Sequence, residues 1–261
     1  NEIDLSKTTS QDTGDGNDTL TSIENVDAGG GNDTVIGSSA SNNLIGGNGN
    51  DNLSGEAGDD ILNGGNGNDT MSGGTGDDTY YVDSIHDTVT ESFSSGTDLI
   101  YSSVTFTASS DVENLTLTGS SNINGTGNTL ANEITGNSGN NTLNGDDGHD
   151  TLTGNAGNDY LIGGNGNDTI LGNVGNDALV GGIGNDQLTG GTGNDIFQIN
   201  EGSGRDLITD YGTGLDRIEL LNGLIESDLT FLYSNGDTSI KYGNDLLAIV
   251  ENTLSSDLIF I

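Results

Sequence analysis

From Gly136 to Gln198 the sequence repeats every nine residues without a slip, in units that open at Gly136, Gly145, Gly154, Gly163, Gly172, Gly181 and Gly190. The sixth position of these units reads Asn141, Asp150, Asp159, Asp168, Asp177, Asp186 and Asp195, and the eighth is always apolar: Leu143, Leu152, Leu161, Ile170, Leu179, Leu188 and Phe197. So short a period leaves no room for a helix. Each unit can hold one turn, for which glycine supplies positive φ, and one very short strand with a single inward side chain. An earlier array opens at Gly46, Gly55, Gly64 and Gly73 and places Asp51, Asp60, Asp69 and Asp78 at the sixth position. Upstream, Gly14 to Leu20 and Gly29 to Val35 keep the motif at a spacing of fifteen, which predicts an irregular first coil.

Two units make one coil, a strand and turn out and a strand and turn back, so residues eighteen apart stack at the strand spacing of about 4.8 Å. One edge then carries Asp150, Asp168 and Asp186, the other Asp159, Asp177 and Asp195. With 41 acidic residues against four Lys or Arg, the net charge is −37, and only 30% of residues are apolar. Charge of this size on so thin a core is a signature of disorder unless something neutralises it. Cations are the expected partners, and calcium suits stacked carboxylates and peptide carbonyls better than magnesium, which demands a tighter octahedron.

The same composition excludes other classes. There is no cysteine, hence no disulfide or thiolate site, and two histidines, His86 and His149, are too few for a zinc centre. The field repels nucleic acid and anionic lipid, so no nucleic-acid partner is expected. No membrane insertion is expected either, since the longest aliphatic run, Leu246–Val250, is far short of a bilayer span. The N-terminus lacks a basic region, an apolar stretch and an initiator Met, and reads as part of a longer protein.

The unit Gly-Gly-x-Gly-x-Asp-x-apolar-x resembles the calcium-binding nonapeptide of repeats-in-toxin (RTX) proteins, over residues 28–81 and 136–198. The resemblance implies an all-β fold, a parallel β-roll or β-solenoid of stacked nonapeptide pairs with a C-terminal β cap. It also implies that each Ca2+ ion is held between two stacked turns, and counting the stacked pairs of this sequence gives roughly ten ions. One turn gives the carbonyls of its second and fourth residues and its carboxylate; the next gives carbonyls one and three and its own carboxylate. Carried over, the ion between Asp51 and Asp69 would see the carbonyls of Gly47, Gly49, Gly64 and Asn66, and that between Asp150 and Asp168 those of Asp146, Gly148, Gly163 and Asn165.

The implied metal positions of the first array are Asp33, Gly46, Gly47, Gly49, Asp51, Gly55, Gly58, Asp60, Gly64, Gly65, Gly67, Asp69, Gly73, Gly74, Gly76 and Asp78. Those of the second are Gly145, Gly148, Asp150, Gly154, Gly157, Asp159, Gly163, Gly164, Gly166, Asp168, Gly172, Gly175, Asp177, Gly181, Gly182, Gly184, Asp186, Gly190, Gly191, Gly193 and Asp195, followed by Asp206 and Asp216 where the spacing stretches. Asn42, Asn132 and Asn141 replace Asp and lower the ligand charge of their turns. The Asn residues at position five are read as solvated turn residues.

Four regions are expected: residues 1–81 as an N-terminal calcium array, 82–126 as a glycine-poor solenoid spacer or, alternatively, a separate small β domain, 127–216 as a second calcium array, and 217–261 as a β cap. In the cap, Asn235-Gly236 between alternating stretches signals a type I′ hairpin. The terminal Asp257-Leu-Ile-Phe-Ile261 resembles the ending of type I secretion substrates in the RTX family, which implies the type I machinery as a partner and an extracellular location. A last cap strand would look the same.

No Gly-x-Ser-x-Gly, His-Glu-x-x-His or Cys/His pairing is present, and the spacing of the acids already has a reason in metal binding, so no enzyme is expected within this chain. The reading is a monomeric module that folds on binding extracellular calcium and supports secretion and post-export folding of a larger protein. The alternatives are an adhesive surface solenoid, or the accessory module of an extracellular protease, lipase or polysaccharide-modifying enzyme. Variation at position three, such as Asn165, Val174, Ile183 and Thr192, argues against an ice-binding face.

Overall fold

The computed structural model describes residues 1–12, 17–18, 20–92, 96–200 and 204–261. The Gly14–Leu20 motif falls largely outside the described residues, as do Gly202 and Ser203 of the stretched unit that ends at Asp206. The chain forms two compact units, Asn1–Thr118 and Gly119–Ile261.

Each unit is built on a parallel β-solenoid, and along the repeats consecutive strands join opposite sheets. In the first unit, one sheet runs in the order Glu2–Asp4, Thr34–Ile36, Asn52–Ala57, Thr70–Thr75 and Thr88–Thr90. Facing strands Asn25–Asp27, Asn43–Asn48, Ile61–Asn66, Thr79–Val82, Leu99–Ser102 and Asn114–Leu117 pair in parallel within this unit. The register is the one the nine-residue period dictates: Leu44 lies opposite Leu62, and Leu53 opposite Met71. Beyond Val82 the stacking persists while the step changes, with Thr79 opposite Leu99 and Leu99 opposite Asn114.

In the second unit, Thr142–Asp147, Tyr160–Asn165, Ala178–Ile183, Ile196–Ile199 and Arg217–Leu220 stack on one side. Glu133–Thr135, Thr151–Ala156, Thr169–Val174, Gln187–Thr192 and Asp206–Ile208 stack on the other. Every eighth-position residue from Leu143 to Phe197 is wholly buried, so the core is a file of single side chains on each sheet. The cap forms as expected. Asp245–Val250 adds in parallel to Asp206–Ile208, and Asp237–Tyr242 and Leu229–Ser234 follow antiparallel. Asn235 and Gly236 both take positive φ between paired Ser234 and Asp237, as a type I′ hairpin requires. The terminal segment docks too: Phe260 bridges to Ile218, and the Ile259 N–H donates to the Tyr211 hydroxyl at 2.8 Å.

Candidate metal centre

The aspartates of the repeat are buried at the turns, and their two oxygens have different surroundings. In each column, the backbone N–H of one sixth-position residue donates to the Oδ1 of the residue one coil on. Asp33, Asp51 and Asp69 donate in this way to Asp51, Asp69 and Asp87 at 2.7–3.0 Å. Asn42, Asp60 and Asp78 donate to Asp60, Asp78 and Asp98 at 2.6–2.8 Å. The second unit repeats the device from Asn132 through Asp150, Asp168 and Asp186 to Asp206, and from Asn141 through Asp159, Asp177 and Asp195 to Asp216. Stacked carboxylates are therefore bound into the backbone by one oxygen each.

The other oxygen is the one left over. Among the described residues, Oδ2 of Asp33, Asp51, Asp60, Asp69, Asp78, Asp98, Asp150, Asp159, Asp168, Asp177, Asp186 and Asp195 is buried with no hydrogen-bond partner. A buried, unpaired carboxylate oxygen is costly, and no Lys or Arg occurs between Lys7 and Arg205 to offset it. Burial accordingly pushes Asp60, Asp69, Asp150, Asp159, Asp168, Asp177 and Asp195 up to about 6, and Asp78 to about 7, against the pull of the N–H bond each accepts. Repulsion between stacked acids is the smaller contribution; loss of water is the larger.

Backbone carbonyls converge on the same space. Where Gly46 lacks a Cβ, that atom would meet the Oδ2 of Asp51 and the carbonyl oxygen of Gly64 one coil on. The same pairing recurs at Gly55 with Asp60 and Gly73, at Gly145 with Asp150 and Gly163, at Gly154 with Asp159 and Gly172, at Gly163 with Asp168 and Gly181, and at Gly172 with Asp177 and Gly190. The carbonyl oxygens of Gly47 and Gly49 lie where a Cβ on Gly65 and Gly67 would stand, and those of Asp146 and Gly148 where one on Gly164 and Gly166 would. The third-position carbonyls of Asn66 and Asn165 already accept the N–H groups of Gly49 and Gly148, at 2.9 and 2.8 Å. An all-oxygen cradle of carboxylate and carbonyl is what a hard cation needs, and the residues present fit calcium.

The ends of the columns differ. Asp216 accepts the Asp195 N–H on one oxygen and the Gly212 N–H on the other; Asp87 likewise accepts Asp69 on one and Asp83 and Ser84 on the other. Asp206 is deeply buried opposite Asp186, and burial with the Asp186 charge raises it well above the usual carboxylate range. The Asn turns close on themselves: Oδ1 of Asn42, Asn132 and Asn141 accepts the N–H of Ser38, Asn128 and Asn137, at 2.7, 2.7 and 2.9 Å.

Sequence reasoning missed three things. Asp98, wholly buried with an orphan Oδ2, lies in a coil whose step is no longer eighteen. Glu91, which takes the place of glycine eighteen residues beyond Gly73, brings a third carboxylate up to Asp78 and Asp98. The fifth-position Asn residues, read as merely solvated, form an outer ladder: Oδ1 of Asn140, Asn158 and Asn176 accepts the N–H of Asn158, Asn176 and Asn194 at 2.8–2.9 Å, and Nδ1 of His149 does the same for Asn167.

The RTX calcium-binding nonapeptide repeat family matches the chain four times, over residues 27–62, 45–80, 126–161 and 162–197. No curated protein matches the sequence. Among solved structures, the crystal structure of extracellular lipase LipA from Serratia marcescens is similar at TM-score 0.27 and 20% identity, covering 87% of this chain. This chain spans 38% of that lipase. The family repeat, matched on the very turns where glycine carbonyls and aspartate oxygens converge, makes this chain an RTX calcium-binding nonapeptide-repeat protein with a β-solenoid fold.

Proposed function

We propose that this chain is a calcium-folded module that supports type I secretion and post-export folding of a larger secreted protein. The RTX repeat is a structural calcium-binding unit and not a catalytic one; any catalytic domain belongs elsewhere in that larger protein. The observation that carries the reading is the row of buried Oδ2 atoms facing backbone carbonyls, repeated coil after coil. Calcium supplies the positive charge that lets these oxygens stay ionised out of water.

In this reading Asp51 and Asp69, with the carbonyls of Gly47, Gly49 and Gly64, hold one ion, and Asp150 and Asp168, with Asp146, Gly148 and Gly163, another. Applied along both arrays this gives roughly ten ions. Low cytosolic calcium leaves the acids repelling and the chain unfolded, as passage through a narrow channel needs; millimolar calcium outside closes the coils. Neighbouring sites share turns, so closure is cooperative.

Export of a passenger fused ahead of this chain tests the proposal, in cells carrying a type I exporter. Medium with millimolar calcium should yield folded, protease-resistant passenger outside the cell. Equal export and folding into calcium-free medium would contradict it.

A further inference from the structure

We propose that Asp78, Glu91 and Asp98 form a divalent-cation site where the nine-residue period of the first array ends, with the Glu91 carboxylate in place of a glycine of the repeat. One carboxylate oxygen from each lies within 4.8 Å of the others. Asp78 and Asp98 are 1% and 0% exposed and each carries an unpartnered Oδ2, while Glu91 is 9% exposed. The position eighteen beyond Gly73, where the repeat would supply a glycine carbonyl, is Glu91. Its side chain is held in place: the Tyr80 hydroxyl accepts the Gly73 N–H at 2.6 Å and donates to the Glu91 Oε1, and the Ser92 N–H donates to Oε2 at 3.1 Å.

These bonds fix Glu91 without removing its charge, and each carboxylate oxygen keeps a second lone pair. Three carboxylates thus meet in a largely dry place, and Lys7, the one Lys or Arg of this unit, is engaged with Glu2 and Asp4. Oxygen-only donors with three negative charges select a hard ion, with calcium favoured over magnesium because the donors come from three separate segments. The site gives the first array an end ligand that the repeat does not supply, since Glu91 stands where the eighteen-residue register with Gly73 calls for glycine.

The test uses the full chain. Calcium is titrated calorimetrically into the wild type, Glu91→Gln and Asp98→Asn, and terbium emission excited through tyrosine is followed in parallel, Tyr80 lying beside the site. Glu91→Gln keeps an acceptor for Tyr80, and should retain the calcium-bound circular dichroism spectrum while binding one ion fewer, or the last ion about tenfold or more weakly, with reduced terbium emission. Asp98→Asn should do the same. Unchanged ion number, affinity and terbium emission in Glu91→Gln would overturn the proposal and mean that the three carboxyls share protons instead. The outcome is separable from the repeat sites: an equal number of ions in wild type and Glu91→Gln leaves the repeats standing without this site, whereas one ion in wild type and none in Glu91→Gln leaves this site standing without the repeats.

Discussion

The sixth-position aspartate does two jobs with two atoms. Oδ1 closes the turn before it, and Oδ2 waits in a cradle of carbonyls. Asp168→Asn keeps an acceptor for the Asp150 N–H and removes the charge, so it should weaken calcium binding while preserving the coil; Asp168→Ala should also leave that N–H unmet, adding about 1–3 kcal/mol of destabilisation. Thermal unfolding at saturating calcium separates the two variants. Glycine matters most where one coil touches the next: a Cβ on Gly175, already at φ 149°, would strike the Gly157 carbonyl. Glu56 is the converse case, a non-glycine residue at φ 76° in the second position that Gly47 and Gly65 fill elsewhere. Glu56→Gly should stabilise the calcium-bound protein by about 1 kcal/mol, read as a higher unfolding temperature.

Among elements, the regular coils were legible because their period fixes register and facing at once: eighteen residues bring Leu143 over Leu161, and the eighth position can only point inward. The Asn235-Gly236 hairpin was legible from its turn chemistry. Asp98 was not, because it follows a step of twenty that the period does not give, nor was Glu91, because an acid standing where the period calls for glycine carries no sign of which carboxylates it meets. Nor was the outer Asn ladder, since an asparagine that bonds to the next coil looks the same in sequence as one that bonds to water. The Asn turns show the physical difference a single atom makes. Asn141 spends its oxygen on the Asn137 N–H and also donates to the Ile123 carbonyl at 2.6 Å, so that turn is held by the chain itself. Asn141→Ala should therefore lower stability without changing the number of bound ions, whereas Asp177→Ala should lower both, as calorimetry and calcium counting can distinguish.

For the whole molecule, charge sets the conditions under which it folds. Burial pushes the carboxyl groups of Asp60, Asp69, Asp150, Asp159, Asp168, Asp177 and Asp195 up to about 6 and that of Asp78 to about 7, above their unfolded values. Protonation then favours the folded metal-free form: that contribution is fully present below the unfolded value and is lost as pH rises through 6 to 7. In chelator, lowering the pH from 7 to 5, still above the isoelectric point of about 4.1, should thus increase compactness and β content. With calcium present the sign reverses, because protons compete for the same oxygens. The most direct measurement of the central claim is a calcium titration of chelator-stripped protein at neutral pH, followed by circular dichroism and small-angle scattering. A cooperative passage from expanded coil to compact β structure at millimolar calcium is the predicted result; a native-like β spectrum and compact size in excess chelator, unchanged by calcium, would contradict it.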